Sequence, residues 1–250
     1  MNKSISILIS AVTSMALLSG FTFADEAASH WGYTGHNSPA EWGNISEKYR
    51  ECGTGLNQSP INITHSLHAD LPPLTPSYES NSTDIVDNGH TIQINMAPGS
   101  TFSIDDKTFE LKQFHFHAPS ENHIEGKAFP LEGHFVNVDK EGNIAVIGIM
   151  FEEGKPNKVL EKVWKNMPNK EGETKTLQLS KIANALLPED KHYYRFNGSL
   201  TTPPCTEGVR WFVLKTPVSI SKEQVEKFHA TMHQDNNRPI QPLDARIIVE

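Results

Sequence analysis

Apolar residues along this chain fall mostly in short runs rather than long periodic stretches. Strand-like segments lie at 91–96, Thr101–Ile104, 109–118, Leu131–Val138, 144–151 and 209–214, separated by clusters of Gly, Asn, Asp or Pro. The 144–151 run is apolar nearly throughout, as a strand buried on both faces requires. Helical spacing is rarer. Val159, Leu160, Val163, Trp164 and Met167 share one helical face after Asn157, a residue suited to capping. Residues 180–187 read as a short helix stopped by Pro188. Ser221 with Gln224 has the form of a capping box, and Val225, Phe228 and Met232 make one apolar stripe behind it. No repeat or linker interrupts the chain, and the Pro-Pro pairs at 72–73 and 203–204 read as loops inside one domain. The pattern predicts a mainly β domain with a few short peripheral helices.

The first residues follow a different pattern. Lys3 precedes an apolar stretch over 5–18, and Thr22-Phe23-Ala24 then places small residues where a signal peptidase reads them. A secretory signal peptide is therefore expected over 1–24, leaving one domain over 25–250. Ser10, Thr13 and Ser14 make the stretch too short and too polar for a bilayer span, and no later segment could insert. Export predicts a periplasmic or secreted protein. Of the 250 residues, 37% are hydrophobic and 21% charged, a globular balance with ample material for a core. The net charge of −8 excludes a nucleic-acid partner, whose phosphates call for a basic surface. An oxidising destination also makes a bridge between Cys52 and Cys205 plausible, tying the N-terminal region to the loop at 201–207. The alternative is two unrelated buried thiols.

Twelve histidines are present, and three stand out by arrangement. In a strand Gln113-Phe114-His115-Phe116-His117, side chains alternate. Gln113, His115 and His117 point one way, and Phe114 and Phe116 point into a core. In Leu131–Val138, Glu132, His134 and Val136 share a face. If the two strands are neighbours, His134 completes a three-imidazole site whose fourth tetrahedral position stays open, the arrangement of catalytic zinc. Gln113 and Glu132 each precede a histidine by two residues on the same face, where they can hold an imidazole N–H. An inward Glu132 must be paired, and no basic partner lies nearby in sequence.

At these residues the chain resembles the α-class carbonic anhydrases, in their bacterial exported branch. The likeness carries beyond 113–117, Glu121 and 132–136. It includes His30-Trp31-Gly32-Tyr33, Asn57-Gln58-Ser59-Pro60-Ile61-Asn62, Asn88-Gly89-His90, Ser199-Leu200-Thr201-Thr202-Pro203-Pro204 and Asn237-Arg238-Pro239-Ile240-Gln241-Pro242-Leu243. The resemblance implies a single domain around a large twisted, mostly antiparallel sheet, with Zn2+ as cofactor on His115, His117 and His134. It implies reversible hydration of carbon dioxide to bicarbonate and a proton by zinc-bound hydroxide, in a monomer or homodimer.

Further roles follow from the same likeness. Asn236 orients a ligand through its backbone carbonyl. Thr201 and Glu121 aim the hydroxide, and Thr202 sits beside the product. Val136, Val146, Leu200, Val209 and Trp211 form an apolar substrate wall. His90 is the proton shuttle, suited by an unperturbed pKa of about 6.5, and Tyr33 orders the intervening waters. The Cys52–Cys205 bridge and cis peptides at Ser59-Pro60 and Pro203-Pro204 are also implied. Ala118, Gln93 and Asn137 depart from the commonest family residues without removing a ligand. Two other readings remain at this stage. The spacing His115-x-His117-x-x-x-Glu121 also fits a cupin metalloenzyme with Glu121 as a ligand, and some carbonic-anhydrase-like chains are inactive binding modules.

Overall fold

The computed structural model describes residues 30–250 apart from Pro73, so the expected leader lies outside the described residues. Among the described residues, twelve strands follow in chain order. They are β1 (Asn62–Ile63), β2 (Ser82–Asp87), β3 (Ile92–Met96), β4 (Thr101–Ile104), β5 (Lys107–His117) and β6 (His123–Ile124). Then come β7 (Leu131–Val138), β8 (Ile144–Glu153), β9 (Thr174–Thr176), β10 (Tyr193–Ser199), β11 (Glu207–Leu214) and β12 (Val218–Ile220). Ten of them form one sheet in the order β10-β11-β8-β7-β5-β3-β2-β9, with β4 added to β5 and β12 to β8. Every pairing in it is antiparallel except those of β8 with β11 and β12.

All six strand-like segments of the sequence are strands. Strand β8 is buried from Ala145 to Phe151 and alternates between two cores. Ala145, Ile147, Ile149 and Phe151 enter the larger cluster; Val146 and Met150 enter a second one with Val209, Trp211 and Val213. Strands β2 and β10 were not legible in the pattern. In β2 only Ile85 and Val86 are apolar, and in β10 the aromatic residues Tyr193, Tyr194 and Phe196 do not alternate strictly, so neither pattern announced a strand.

The helices cover the face of the sheet that carries the phenylalanines. Helix α3 (Lys158–Trp164) is capped by Asn157, whose side chain accepts from the backbone of Val159 and Leu160. Helix α5 (Lys222–Met232) opens with the Ser221–Gln224 capping box. The Gln224 carbonyl oxygen also accepts Trp164 Nε1–H at 2.9 Å, which locks the two helices together. Phe116 packs on Trp164 at 5.0 Å and on Phe228 at 6.3 Å between ring centres. The short segment expected at 180–187 is helical over Ile182–Leu186.

One irregularity decides which residues face the other side. On β5, Phe109 and Leu111 are in the large core, and so are Phe114 and Phe116. Strict alternation forbids that combination, since 111 and 114 differ in parity. The register with β7 shifts between Leu111 and Gln113, so that Leu111 faces Asn137 and Gln113 faces Val136. Lys112 is the extra residue of a β-bulge and is exposed. Beyond it, Gln113, His115 and His117 are turned away from the core.

Cys52 and Cys205 form a disulfide across 153 residues of sequence. Cys52 lies in the helical turn Glu51–Thr54. The bridge packs against the buried Trp42, with Trp31 and Tyr33 beside it. The peptides before Pro60 and Pro204 are cis, and so is a third, Ala118-Pro119, which the motifs did not indicate.

Candidate metal centre

The register of β5 against β7 sets His115 directly opposite His134, and His117 opposite Glu132. The two histidine-bearing faces therefore meet. Among the described residues, His115, His117 and His134 form a group able to hold a metal ion, each offering a ring nitrogen within 4.8 Å of the others. Glu121 is not in that set, which separates this site from the cupin pattern.

Each imidazole is held from behind. His115 Nδ1 lies 2.8 Å from Gln113 Oε1, and His117 Nδ1 lies 2.7 Å from the backbone carbonyl oxygen of Asn236. Facing an acceptor, each Nδ1 carries the proton and leaves Nε2 as the ligand atom. His134 is turned the other way: its Nε2 stands 3.0 Å from Glu132 Oε1, although out of line for a formal hydrogen bond. That leaves Nδ1 to face the centre. His117 Nε2 is buried without any hydrogen-bond partner, a costly state for a ring nitrogen unless something binds there. Burial, and then the neighbouring histidines, push His115 and His134 well below the usual range. Burial also lowers His117, against the opposing Asn236 carbonyl and Glu132. Three neutral imidazoles, one orphaned and all oriented, fit a zinc ion.

Glu132 is fully buried without a cationic side chain. Its Oε2 accepts the backbone N–H groups of Glu121 and Asn122, and its Oε1 accepts Asn122 Nδ2–H, each at 2.8 Å. Burial still raises it, opposed chiefly by the Asn122 hydrogen bonds. Glu121 Oε1 accepts the Arg238 backbone N–H at 2.8 Å. Its Oε2 is buried and lacks an aligned donor. Burial pushes this carboxyl well up, while Arg238 and the adjacent Thr201 hydroxyl pull it down. The Tyr33 hydroxyl is buried and unpartnered as well, raised well above its usual value by burial and then by Glu121.

A cleft of about 130 Å³ opens over His115 and His117, with Tyr33, Gln93, His90 and Thr202 on its walls. Larger hollows lie elsewhere, such as a groove of about 570 Å³ between Leu71 and Tyr193. The metal-ligating set is not there, so size is a poor guide to the chemistry. Val146, Val209 and Trp211 belong to one apolar cluster, with Val136 and Leu200 packed on it. Trp211 meets His134 edge-on at 4.9 Å. An apolar wall thus adjoins the ligands. Asn137 points the other way, accepting Tyr78 O–H at 2.8 Å inside the core.

Several site residues escaped the sequence reading. Trp31 stacks on His90 with ring centres 3.6 Å apart and planes 9° off parallel. Asn122 closes the shell of Glu132. Arg238 is 1% exposed, and its guanidinium donates to Gln58 Oε1 and to the carbonyls of Ser59 and Cys52 at 2.7–2.8 Å. Only the position of Trp31 and Arg238 inside recognisable motifs could have marked them.

Comparison with known proteins agrees with this geometry. Residues 37–250 match the family model described as eukaryotic-type carbonic anhydrase. A carbonic anhydrase of Pectobacterium carotovorum is 50% identical over 238 residues, covering 94% of this chain and 98% of that protein. One of Neisseria gonorrhoeae is 48% identical over 243 residues, covering 96% of each. The α-carbonic anhydrase of Thermovibrio ammonificans, solved with the inhibitor sulfanilamide, superimposes with a TM-score of 0.87 at 50% identity, over 89% of this chain and 99% of that one. The chain belongs to the α-type carbonic anhydrase family, as an enzyme of that family with close bacterial relatives.

Proposed function

We propose that the protein holds one zinc ion on His115 Nε2, His117 Nε2 and His134 Nδ1 and reversibly hydrates carbon dioxide. The observation that carries this is the convergence of three neutral, back-supported imidazoles beside an apolar wall. As is known for carbonic anhydrases as a class, zinc so held supplies a strong nucleophile at neutral pH by lowering the pKa of water to about 7. The chain's own residues do the rest. Gln113, Asn236 and Glu132 fix the three rings, so no reorganisation is needed when the ion binds. The Thr201 hydroxyl donates its proton to Glu121 and is thereby left to accept from the nucleophile, fixing its direction. Glu121 serves as acceptor only when ionised, which burial opposes and a nearby dication favours. Val136, Val146, Leu200, Val209 and Trp211 offer the uncharged substrate an apolar surface, with Thr202 near the departing anion. His90 takes the released proton on its ring and passes it to solvent, and Tyr33 helps order the water between. The Cys52–Cys205 bridge suits an oxidising compartment, in keeping with export after loss of residues 1–24.

Metal content and stopped-flow CO2 hydration, with and without a chelator, test the reading. One zinc per chain and chelator-sensitive catalysis are expected. A metal-loaded protein no faster than buffer would refute it and favour a binding module. Glu121→Gln should retain zinc and lose about a hundredfold in kcat/KM; loss of zinc in that variant would favour the cupin arrangement instead.

A further inference from the structure

Pairing of β2 with β9 sets Val86 opposite Thr174 and thereby brings the loop before β9 against the turn that carries His90. Two backbone hydrogen bonds fix the approach: Gly172 N–H donates to the Asp87 carbonyl at 2.8 Å, and Asp87 N–H to the Glu173 carbonyl at 3.1 Å. The Glu171 carboxylate then lies across Gly89, so closely that a Cβ at position 89 would sit 2.5 Å from Glu171 Oε1. Gly89 also has φ of +82°, a backbone conformation that disfavours any side chain there. The residue next to the proposed proton shuttle is bare, and an exposed carboxylate occupies the space.

We propose that Glu171 is a positioning residue for proton export, its charge holding the imidazolium that His90 becomes as it carries a proton outward. This rests on reading His90 as the shuttle. The need for such a charge follows from the ring's other surroundings. Trp31 covers one face of it, and His30 lies 6.4 Å away between ring centres. Burial and the His30 charge both disfavour the protonated ring, and Glu171 and Asp87 oppose them. A shuttle must accept a proton readily near the working pH, so the opposing carboxylates matter. Asp87 is 5% exposed and accepts the Gly89 N–H at 3.0 Å, which builds the turn. Glu171 is exposed, reachable by buffer, and replaceable without disturbing that turn.

The test uses the zinc-loaded enzyme with Glu171→Gln, Glu171→Lys and His90→Ala. NMR titration of the His90 ring gives a readout independent of turnover. Loss of the negative charge should lower the His90 pKa by about half a unit in Glu171→Gln, and further in Glu171→Lys, with the difference shrinking in high salt. In weak buffer kcat should fall about two- to threefold, while zinc content and kcat/KM for CO2 stay unchanged. A His90 pKa within about 0.1 unit of wild type in both variants overturns the proposal. If His90→Ala leaves kcat in weak buffer intact, the shuttle reading itself fails and the export role of Glu171 falls with it. If His90→Ala slows turnover but the Glu171 variants titrate as wild type, only the role of Glu171 is lost.

Discussion

The floor of the cleft and its mouth are built from different kinds of contact. On the floor, Glu132 accepts three hydrogen bonds at 2.8 Å with no water access, and Asn236 ties the end of β5 to the turn that carries His90 through both amide atoms. Its Oδ1 accepts the Ala118 N–H, and its Nδ2 donates to the carbonyls of Phe116 and His90. At the mouth, His90 is half-buried and held by a stacked ring and by nearby charges. Buried polar groups with all partners in place resist displacement because each lost bond leaves an unsatisfied atom. Stacked and screened contacts yield at modest cost. The floor is suited to holding an ion in fixed geometry, the mouth to passing a proton that must leave again.

The contrast breaks if substitutions in the two regions have similar consequences. The largest effect is expected at the ligands: His117→Ala should leave well under one zinc per chain after dialysis and bring CO2 hydration to near the buffer rate, read by metal analysis and stopped flow. Glu132→Gln comes next. It replaces an acceptor oxygen by an NH2 group facing the donors of Asn122 or the Glu121 backbone, and should weaken zinc binding roughly 10- to 100-fold in competition with a chelator. The smallest effect belongs to the mouth. Trp31→Ala removes the ring that shields His90, so the His90 pKa should rise, because desolvation there disfavours the charged form. Its stability cost should be about 1 kcal/mol by denaturant titration. A zinc affinity altered as much by Trp31→Ala as by Glu132→Gln would show that floor and mouth are one unit.

Legibility in the sequence followed the same division. Alternation alone placed Gln113 with His115 and His117, and Glu132 with His134, because a regular strand has a fixed period. It could not show that His115 stands opposite His134, since register is set by the whole sheet. The resemblance supplied the ligand set and the fold. Glu132 lacked a basic partner in the sequence because its partners are backbone N–H groups and Asn122, which no charge pattern announces. The approach of Glu171 to Gly89 depends on β2 and β9, whose residues Ser82, Thr83, Asp84, Thr174, Lys175 and Thr176 carry little apolar signal. Contacts made by loops that such strands carry are the last to be read.

The bulge at Lys112 has a consequence for how this enzyme can vary. The side chain is exposed and forms an ion pair with Glu110, so many residues could replace it at small cost. The position itself is another matter. Deleting it would leave Leu111 and Gln113 on opposite faces as they are now, but absorbing Lys112 into an unbroken ladder opposite Val136 would exchange the two faces of everything after it. Phe114 and Phe116 would then line the cleft, and His115 and His117 would enter an apolar interior. Position 112 is thus free in identity but fixed in conformation: the bulge it forms is what keeps Phe114 and Phe116 in the core while His115 and His117 face the cleft.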